Sequence, residues 1–284
     1  MQRKMPFSSM RSLVPKVPIC FLSIPILWCN SCVLQDDPPT FMQIEHIYVQ
    51  SAAAKEHFEL FTEVLGLPVV WDYTNWGNFT SGGFSLGNVV LEYIDARHSE
   101  TPFPYGVALK PAQPLRSVMR TLDTMGIDHG PVRKAANWSL LDLNEVLPGS
   151  VNLFVCDYHD WSHVEQERGL ATDQLNASDG GGLGVQEVVY LTMGTAAVNH
   201  FDAAMTKLDG LVKTNGIYQF SKGPGIQMQS SGQPRLGLMV RVSSLDQVKV
   251  KLDELEIQHA LSDQSLEITD PKFELKWVFT ASES

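Results

Sequence analysis

The sequence predicts an α+β protein of four βαβββ modules, which pair two and two into sheets with the helices outside. Residues 45–49 (EHIYV) align with 187–191 (EVVYL), and 121–129 (TLDTMGIDH) align with 251–259 (KLDELEIQH), so two halves of similar plan follow one another. Each half divides again into a strand, a helix and three more strands. One such module has a single apolar sheet face, so two modules must pair to bury it.

The first module shows this order most clearly. A strand at 43–50 precedes a helix with one apolar face, formed by Ala54, Phe58, Phe61 and Leu65. Gly66 and Pro68 end that helix, because glycine tolerates the left-handed turn that closes a helix and proline cannot continue it. Three strands separated by turn residues follow, at 69–73, 79–86 and 89–94.

The remaining modules repeat the pattern. The second has strands at 105–110 and 151–156 and an apolar helix stripe of Leu115, Val118, Met119, Leu122 and Met125. Helices of the third and fourth modules carry stripes of Ala197, Phe201, Ala204 and Leu208, and of Leu245, Val248, Leu252 and Leu255. The predicted domains are therefore 43–159 and 185–280, joined by a polar, glycine-rich linker at 160–184.

Residues 1–35 differ from the rest of the chain. They contain four basic residues and no Asp or Glu, followed by the apolar run 17–28 (VPICFLSIPILW). That order is typical of a cleavable secretory signal, and the run is too short to span a bilayer as a helix. We expect a secreted or otherwise extracytoplasmic protein with no transmembrane span in the mature chain; an organelle-targeting leader is the alternative.

Charge excludes one class of partner. The formal net charge of −11 becomes −15 once the four basic residues of 1–35 are removed, and phosphate binding needs a basic face. We therefore expect no nucleic-acid partner. Of the four cysteines, Cys156 alone lies outside 1–35, so no disulfide framework is expected.

The paired modules resemble a known superfamily. Residues 44–49 (IEHIYV) open the first strand, LGLPVVW at 65–71 follows the first helix, and GNVVLEY at 87–93 forms the fourth strand. This pattern is similar to the vicinal oxygen chelate superfamily, which includes glyoxalase I, bleomycin-resistance proteins and extradiol dioxygenases. The resemblance covers about 43–280 and implies that each module pair curls into a half-open sheet barrel with a ligand-binding cleft.

The resemblance also implies a metal site. In that superfamily the metal ligands come from the first and fourth strands of paired modules, and here His46 and Glu92 match two such positions. A histidine nitrogen and a carboxylate oxygen suit Fe, Mn, Zn or Ni about equally. Strand alternation predicts that Ile44, His46 and Tyr48 share one face. The candidate cleft-lining residues are Tyr48, Trp71, Asn152, Phe154 and Cys156.

The second module departs from the pattern. Phe154 aligns with Glu92, and the strand at 105–110 has no histidine, so a third ligand is open among Asn152, Cys156, His98 and His159. The second half departs further: Val188 aligns with His46, Gln227 or Gln229 lies in the region of Glu92, and Glu274 is the nearest carboxylate in the last module. We interpret this half as a degenerate copy that completes the fold or an interface, through which an oligomer could form.

Two function classes remain open. The first is a divalent-metal-dependent dioxygenase, lyase or isomerase acting on a small oxygen-bearing substrate in the first domain. The second is a metal-free protein that binds or sequesters a small molecule, as bleomycin-resistance proteins do. We expect the side chains of His46 and Glu92 to converge in one cleft, close enough to share one ion or one water. The recurring pairs His57/His200 and His129/His259 are interpreted as architectural, because they occupy equivalent helix positions in the copies.

Overall fold

The protein is described here by a computed structural model. The described residues are 40–98, 102–143, 145–147, 149, 151–208 and 210–281, without the side chain of Met42. The leader predicted at 1–35 lies outside them and stays a prediction.

Each of the four modules contains a strand, a helix and three strands. The first comprises β1 (Phe41–Ser51), α1 (Ala54–Glu59, continued by a π-helical turn Leu60–Val64), β2 (Val69–Asn75), β3 (Thr80–Ser85) and β4 (Val90–Asp95). The second comprises β5 (Tyr105–Pro111), α2 (Leu115–Met125), β6 (Val132–Lys134), β7 (Trp138–Asp142) and β8 (Asn152–Tyr158). After α3 (Trp161–Ala177) come β9 (Val185–Thr195), α4 (Val198–Met205), β10 (Val212–Thr214), β11 (Ile217–Gln219) and β12 (Gly225–Ser230). The fourth comprises β13 (Arg235–Val242), α5 (Leu245–Glu254), β14 (His259–Leu261), β15 (Leu266–Ile268) and β16 (Lys276–Ala281).

The strands form two eight-stranded sheets of identical plan. The first has the order β2-β3-β4-β1-β5-β8-β7-β6, and the second the order β10-β11-β12-β9-β13-β16-β15-β14. In each sheet the opening strands of two modules pair antiparallel at the centre, and each pairs parallel with the fourth strand of its own module. The predicted fold class, with modules paired 1 with 2 and 3 with 4, is confirmed.

Strand β1 contains an irregularity that corrects one expectation. Its pairing with β5 shifts register between Ile44 and His46, so one extra residue, Glu45, is inserted. Ile44 consequently packs in the main core with Ile47, while Tyr48 packs on the opposite face. The prediction that Ile44 shares a face with His46 and Tyr48 is wrong for Ile44, because a bulge resets the two-residue alternation.

The segment that joins the two sheets is mostly helical. The predicted linker, 160–184, contains α3, whose first turn is capped by the Asp160 side chain accepting a hydrogen bond from the amide of His163. A 3₁₀ turn at Gly181–Leu183 then leads into the second sheet. Within the described residues, no helix is long and apolar enough to cross a membrane.

The helix faces of the two sheets share one hydrophobic core. Buried residues of both halves belong to a single contiguous cluster. At its centre the ring of Phe61 stacks on that of Trp277 with centroids 4.9 Å apart, and Phe61 also contacts Phe273. Each half therefore completes the core of the other.

One of the two recurring histidine pairs repeats its contact in the copies. His129 lies 3.2 Å from Asp123, and His259 lies 3.7 Å from Asp253. The other pair differs: His57 is buried 3.6 Å from the Glu274 carboxylate of the second half, whereas His200 is exposed and contacts the carbonyl oxygen of Glu145 in the first half at 2.5 Å.

The shared core leads to a test of cooperativity. Trp277 is fully buried between the halves, so Trp277→Ala is expected to lower the free energy of unfolding by about 3–5 kcal/mol. Urea unfolding followed by circular dichroism should show one transition, displaced as a whole. Val250→Ala, at an exposed position of α5, should change stability by less than about 0.5 kcal/mol. Two separate transitions, with only one displaced, would contradict a common core.

Candidate active site in the first sheet

The first sheet curls so that its free face is concave. Trp76, just after β2, and Trp138, on β7, belong to opposite ends of the strand order, yet their ring centroids lie 6.1 Å apart. The concave face carries its own buried cluster, separate from the main core, of Tyr48, Ile94, Ala108, Phe154 and Cys156. Partly buried residues that pack against this cluster are Phe79, Trp138, Leu140 and Tyr158. The predicted half-open barrel is therefore lined by aromatic and aliphatic groups.

His46 and Glu92 meet on this face. The bulge in β1 turns His46 towards the concave side, and Glu92 lies on the neighbouring parallel strand β4, opposite Tyr48 in register. The Nε2 atom of His46 is 3.6 Å from Oε2 of Glu92. Each residue is only 7% exposed. The two residues singled out in the sequence thus lie side by side in a buried setting.

Burial controls the charges of this pair. Desolvation lowers the pKa of His46 and raises that of Glu92, and the attraction between the two groups opposes both shifts. The hydroxyl of Ser81 also hydrogen-bonds the Glu92 carboxylate and favours its ionised form. Ser81 in turn accepts a hydrogen bond of 3.2 Å from the indole nitrogen of Trp76. The Glu92 carboxylate is thereby connected to the rim of the concave face.

A second carboxylate contacts the other side of the imidazole. Glu45, the bulged residue, accepts a hydrogen bond from Nδ1 of His46 through its Oε2 atom. Its Oε1 atom forms an ion pair with Arg168 of α3, which also donates to the Glu45 carbonyl oxygen at 3.2 Å. Burial lowers the pKa of Arg168 to about 10, so its guanidinium stays charged at neutral pH. With Nδ1 protonated, the lone pair of Nε2 faces Glu92.

Neither Glu45 nor Arg168 was predicted from the sequence. Regular alternation places Glu45 on the face opposite His46, and the bulge that reverses this carries no sequence signal. Arg168 lies in the segment interpreted as a linker.

Aromatic rings enclose the pair. The Trp71 ring lies directly over Gly83, where an added Cβ would be 2.4 Å from the indole, and its centroid is 6.2 Å from that of His46. Phe154 approaches from the second module with its centroid 5.8 Å from the imidazole, edge-on. Both predicted lining residues therefore contact His46, and together they leave little room for bulk water.

Three further predicted residues lie on the same face. The Tyr48 ring packs over Gly106, with its centroid 6.1 Å from that of Phe154. Cys156 is buried, and desolvation raises the pKa of its thiol to about 12, so the thiolate that binds metals is disfavoured. Asn152 is buried too, and its Oδ1 atom has no hydrogen-bond partner among the described residues.

Extradiol dioxygenases are among the solved structures that share this architecture. A catechol 2,3-dioxygenase superposes with a TM-score of 0.55 at 11% identity, covering 86% of this chain and 89% of that chain. The homoprotocatechuate 2,3-dioxygenase of Arthrobacter globiformis gives 0.54 at 13% identity, with 87% and 81% covered. The Brevibacterium fuscum enzyme in complex with 3,4-dihydroxyphenylacetate gives 0.58 at 13%, with 88% and 83% covered.

The chain has the two-domain fold of the vicinal oxygen chelate superfamily. The resemblance read from 44–49, 65–71 and 87–93 is thereby confirmed for the fold. No protein-family model and no curated protein sequence matches the chain.

The second module departs from the vicinal oxygen chelate pattern in the structure as it does in the sequence. In register across the sheet, His46 pairs with Ala108, and Ala108 pairs with Phe154. Two apolar residues therefore occupy the places where the pattern expects donors. Among the described residues, no group of three or more His, Cys, Asp or Glu side chains is arranged to hold a metal ion.

The two histidines considered as third ligands are engaged elsewhere. His98 is largely exposed and lies 3.6 Å from Asp95. His159 contacts the Ser139 hydroxyl at 3.4 Å and the carbonyl oxygen of Ala136 at 3.1 Å. The described structure thus gives neither of them a contact with His46 or Glu92.

The second sheet uses its equivalent residues for the fold. The predicted match of Val188 with His46 is wrong, because the register against β13 makes Tyr190 the counterpart of His46 and Val188 that of Ile44. Val188 is fully buried in the core, and Glu187 forms an ion pair with Arg241 of β13. Glu274 precedes β16 and accepts a 2.7 Å hydrogen bond from the Ser51 hydroxyl of the first half. Its carboxylate therefore supports the contact between the halves.

Packing of the concave face can be tested at Gly106. A Cβ added there would lie 2.0 Å from the Tyr48 ring, so Gly106→Ala must displace the ring that borders Phe154. We expect a loss of about 1–3 kcal/mol in the free energy of unfolding, measured with urea. Gly232→Ala is the matched control, because nothing lies within 4 Å of the added atom. Equal stability of the two variants would show that the concave face is loosely packed.

Proposed function

We propose that the chain is a divalent-metal-dependent, dioxygenase-like enzyme of the vicinal oxygen chelate type, acting on a small oxygen-bearing molecule at the concave face of the first sheet. His46 and Glu92 are the proposed metal ligands. The observation that carries the proposal is the 3.6 Å approach of Nε2 of His46 to Oε2 of Glu92 in a buried setting.

Two electron-donor atoms at this distance need a positive charge between them. Because Nδ1 of His46 donates to Glu45, its Nε2 atom presents a lone pair to an oxygen that also carries lone pairs. Such atoms repel unless a proton or a cation bridges them. Metal–nitrogen and metal–oxygen bonds of about 2.0–2.2 Å are long enough to span the gap. The donor set therefore fits a transition-metal ion, with Fe, Mn, Zn and Ni as the candidates.

The pair also has the supporting contacts that metal-binding histidines show. A ligating histidine usually donates its second ring N–H to a carboxylate or carbonyl, which fixes its orientation. Glu45 supplies that contact to His46, and Ser81 supplies a donor to Glu92. A bound divalent ion would act as a Lewis acid on oxygen atoms of the small molecule bound at the site.

The surrounding residues would orient a flat ligand and exclude water. Trp71 and Phe154 both meet the imidazole edge-on, and Tyr48 continues the aromatic lining. Since the second module has apolar residues at the expected ligand positions, the small molecule itself would complete the coordination. This explains how a centre with two protein ligands could function, although catalytic sites usually hold three.

The proposal predicts which residues bind metal. His46→Ala and Glu92→Ala should each weaken binding of Mn(II), Fe(II), Zn(II) or Ni(II) at least about tenfold, because each removes one of two donors. Equilibrium dialysis followed by elemental analysis measures the affinity. His163→Ala is the control, since that histidine is exposed on α3. Equal metal uptake by wild type and both variants would refute the metal site.

A second variant adds a possible metal ligand instead of removing one. Phe154→His places a third donor next to the imidazole of His46, at the position where the superfamily pattern expects one. Metal affinity should rise at least about tenfold in this variant. The same gain should disappear in the double variant that also carries Glu92→Ala. An unchanged affinity of Phe154→His would place the metal elsewhere.

The alternative function is metal-free binding of a small molecule. The specific observation in its favour is that Ala108 and Phe154 fill two of the four expected ligand positions. In that case Glu92, whose pKa is raised, would donate its own proton to Nε2 of His46. Wild-type protein would then take up no metal, whereas the Phe154→His variant would bind it.

Localisation and assembly rest on the sequence alone. We propose that residues 1–35 direct the chain out of the cytoplasm, because of their basic and apolar order. An oligomer formed through the second domain stays a prediction.

A further inference from the structure

We infer that helix α3 is part of the site: Arg168 holds Glu45, and Glu45 holds His46 with Nε2 directed at Glu92. Glu45 and Arg168 are thus positioning residues. The inference deepens the proposed function and rests on it where metal affinity is concerned. The orientation of the histidine is a property of the protein without metal.

The contacts form one continuous chain. Glu45 has a side chain of zero exposure, and both of its oxygens are engaged, one by His46 and the other by Arg168. Arg168 binds the Glu45 carbonyl oxygen as well, so it fixes both the side chain and the bulged backbone. Because the guanidinium balances the charge of Glu45, the Glu92 carboxylate remains available to attract a cation.

Helix α3 is held against the first sheet by several independent contacts. Glu165 forms an ion pair with Lys110 of β5, whose ammonium group lies 4.3 Å from the centre of the Trp161 ring. Thr172 donates a 3.0 Å hydrogen bond to the carbonyl oxygen of Gly87, at the turn before β4. The helix thereby touches strands on both sides of His46.

The second half provides an internal comparison. Its first strand, β9, has the same bulge against β13, and the register makes Tyr190 the counterpart of His46 and Val189 that of Glu45. The bulge therefore occurs in both copies, whereas the bulged carboxylate occurs only in the copy that has the histidine. Glu187 pairs with Arg241 directly across the two strands and has no part in an equivalent of this site. This contrast points to positioning of the imidazole and argues against a general requirement of the fold.

The test measures which ring nitrogen of His46 carries the proton. In ¹⁵N-labelled protein without added metal, the His46 ring nitrogens are assigned by their absence in His46→Ala. Wild type should show a protonated Nδ1 and an unprotonated Nε2. In Glu45→Leu the tautomer should switch, because Glu92 becomes the remaining carboxylate partner and Nε2 becomes the donor. An unchanged Nδ1–H tautomer in Glu45→Leu would overturn the inference.

Arg168 is tested with a rescue and a matched control. Arg168→Gln should produce a mixture of tautomers and weaken Mn(II) or Zn(II) binding about 10–100-fold, as loss of a supporting contact does. Arg168→Lys, which keeps the charge, should restore the wild-type tautomer. Arg241→Gln breaks an ion pair of the second half, that with Glu187, and should leave both readouts unchanged. The inference fails if Arg168→Gln behaves like Arg241→Gln.

Folding and function are kept apart by two further measurements. Thermal unfolding shows which variants are folded. If Glu45→Leu does not fold, Glu45→Gln takes its place in the test. The amide oxygen of Glu45→Gln still accepts a hydrogen bond from Nδ1, so this variant should keep the wild-type tautomer. A switched tautomer in Glu45→Gln would contradict the role given to Glu45. If wild type binds no metal, the proposed function fails, while the tautomers still decide the positioning role.

Discussion

The contact between His46 and Glu92 is the constraint that organises the first half of the protein. Two ionisable groups lie 3.6 Å apart, each almost fully buried, and such groups are costly to bury without partners. The structure supplies those partners. Glu45 accepts a hydrogen bond from Nδ1 of His46 and is itself paired with Arg168. Ser81 hydrogen-bonds the Glu92 carboxylate, and aromatic rings surround the pair. This concentration of supporting contacts is what a fold needs in order to retain a polar site inside a hydrophobic barrel.

The second half stabilises the first and so offsets the free-energy cost of burying this polar site. The helix face of the first sheet is buried against residues of the last module, centred on the stack of Phe61 and Trp277. The main core therefore does not depend on the concave face, which can hold polar chemistry. In the second half the counterparts of His46 and Glu45 are Tyr190 and Val189, and Glu274 bonds to Ser51 across the halves.

The fold, the central pair and the neighbouring aromatic residues Trp71 and Phe154 could be predicted from the sequence, whereas the contact of Glu45 with Arg168 could not. Internal repeats reveal the modules because each copy must bury the same face, and the motif around His46 and Glu92 reveals their position in the strands. The orientation of Glu45 depends on a bulge whose register is set by pairing with β5, a long-range contact. The role of α3 could not be predicted either, because its contacts are also long-range. Its polar composition resembles that of a linker, and its partners Lys110 and Glu45 lie more than 50 residues away in the sequence.

The central claim is that His46 and Glu92 share one ion on the concave face of the first sheet. The most direct measurement is a crystal structure of the full chain with Mn(II), recorded near the manganese absorption edge. The account predicts an anomalous peak between Nε2 of His46 and the Glu92 carboxylate, with the remaining ligands being water or small molecules. A fully ordered site with no peak there, and with Glu92 hydrogen-bonded directly to His46, would contradict it.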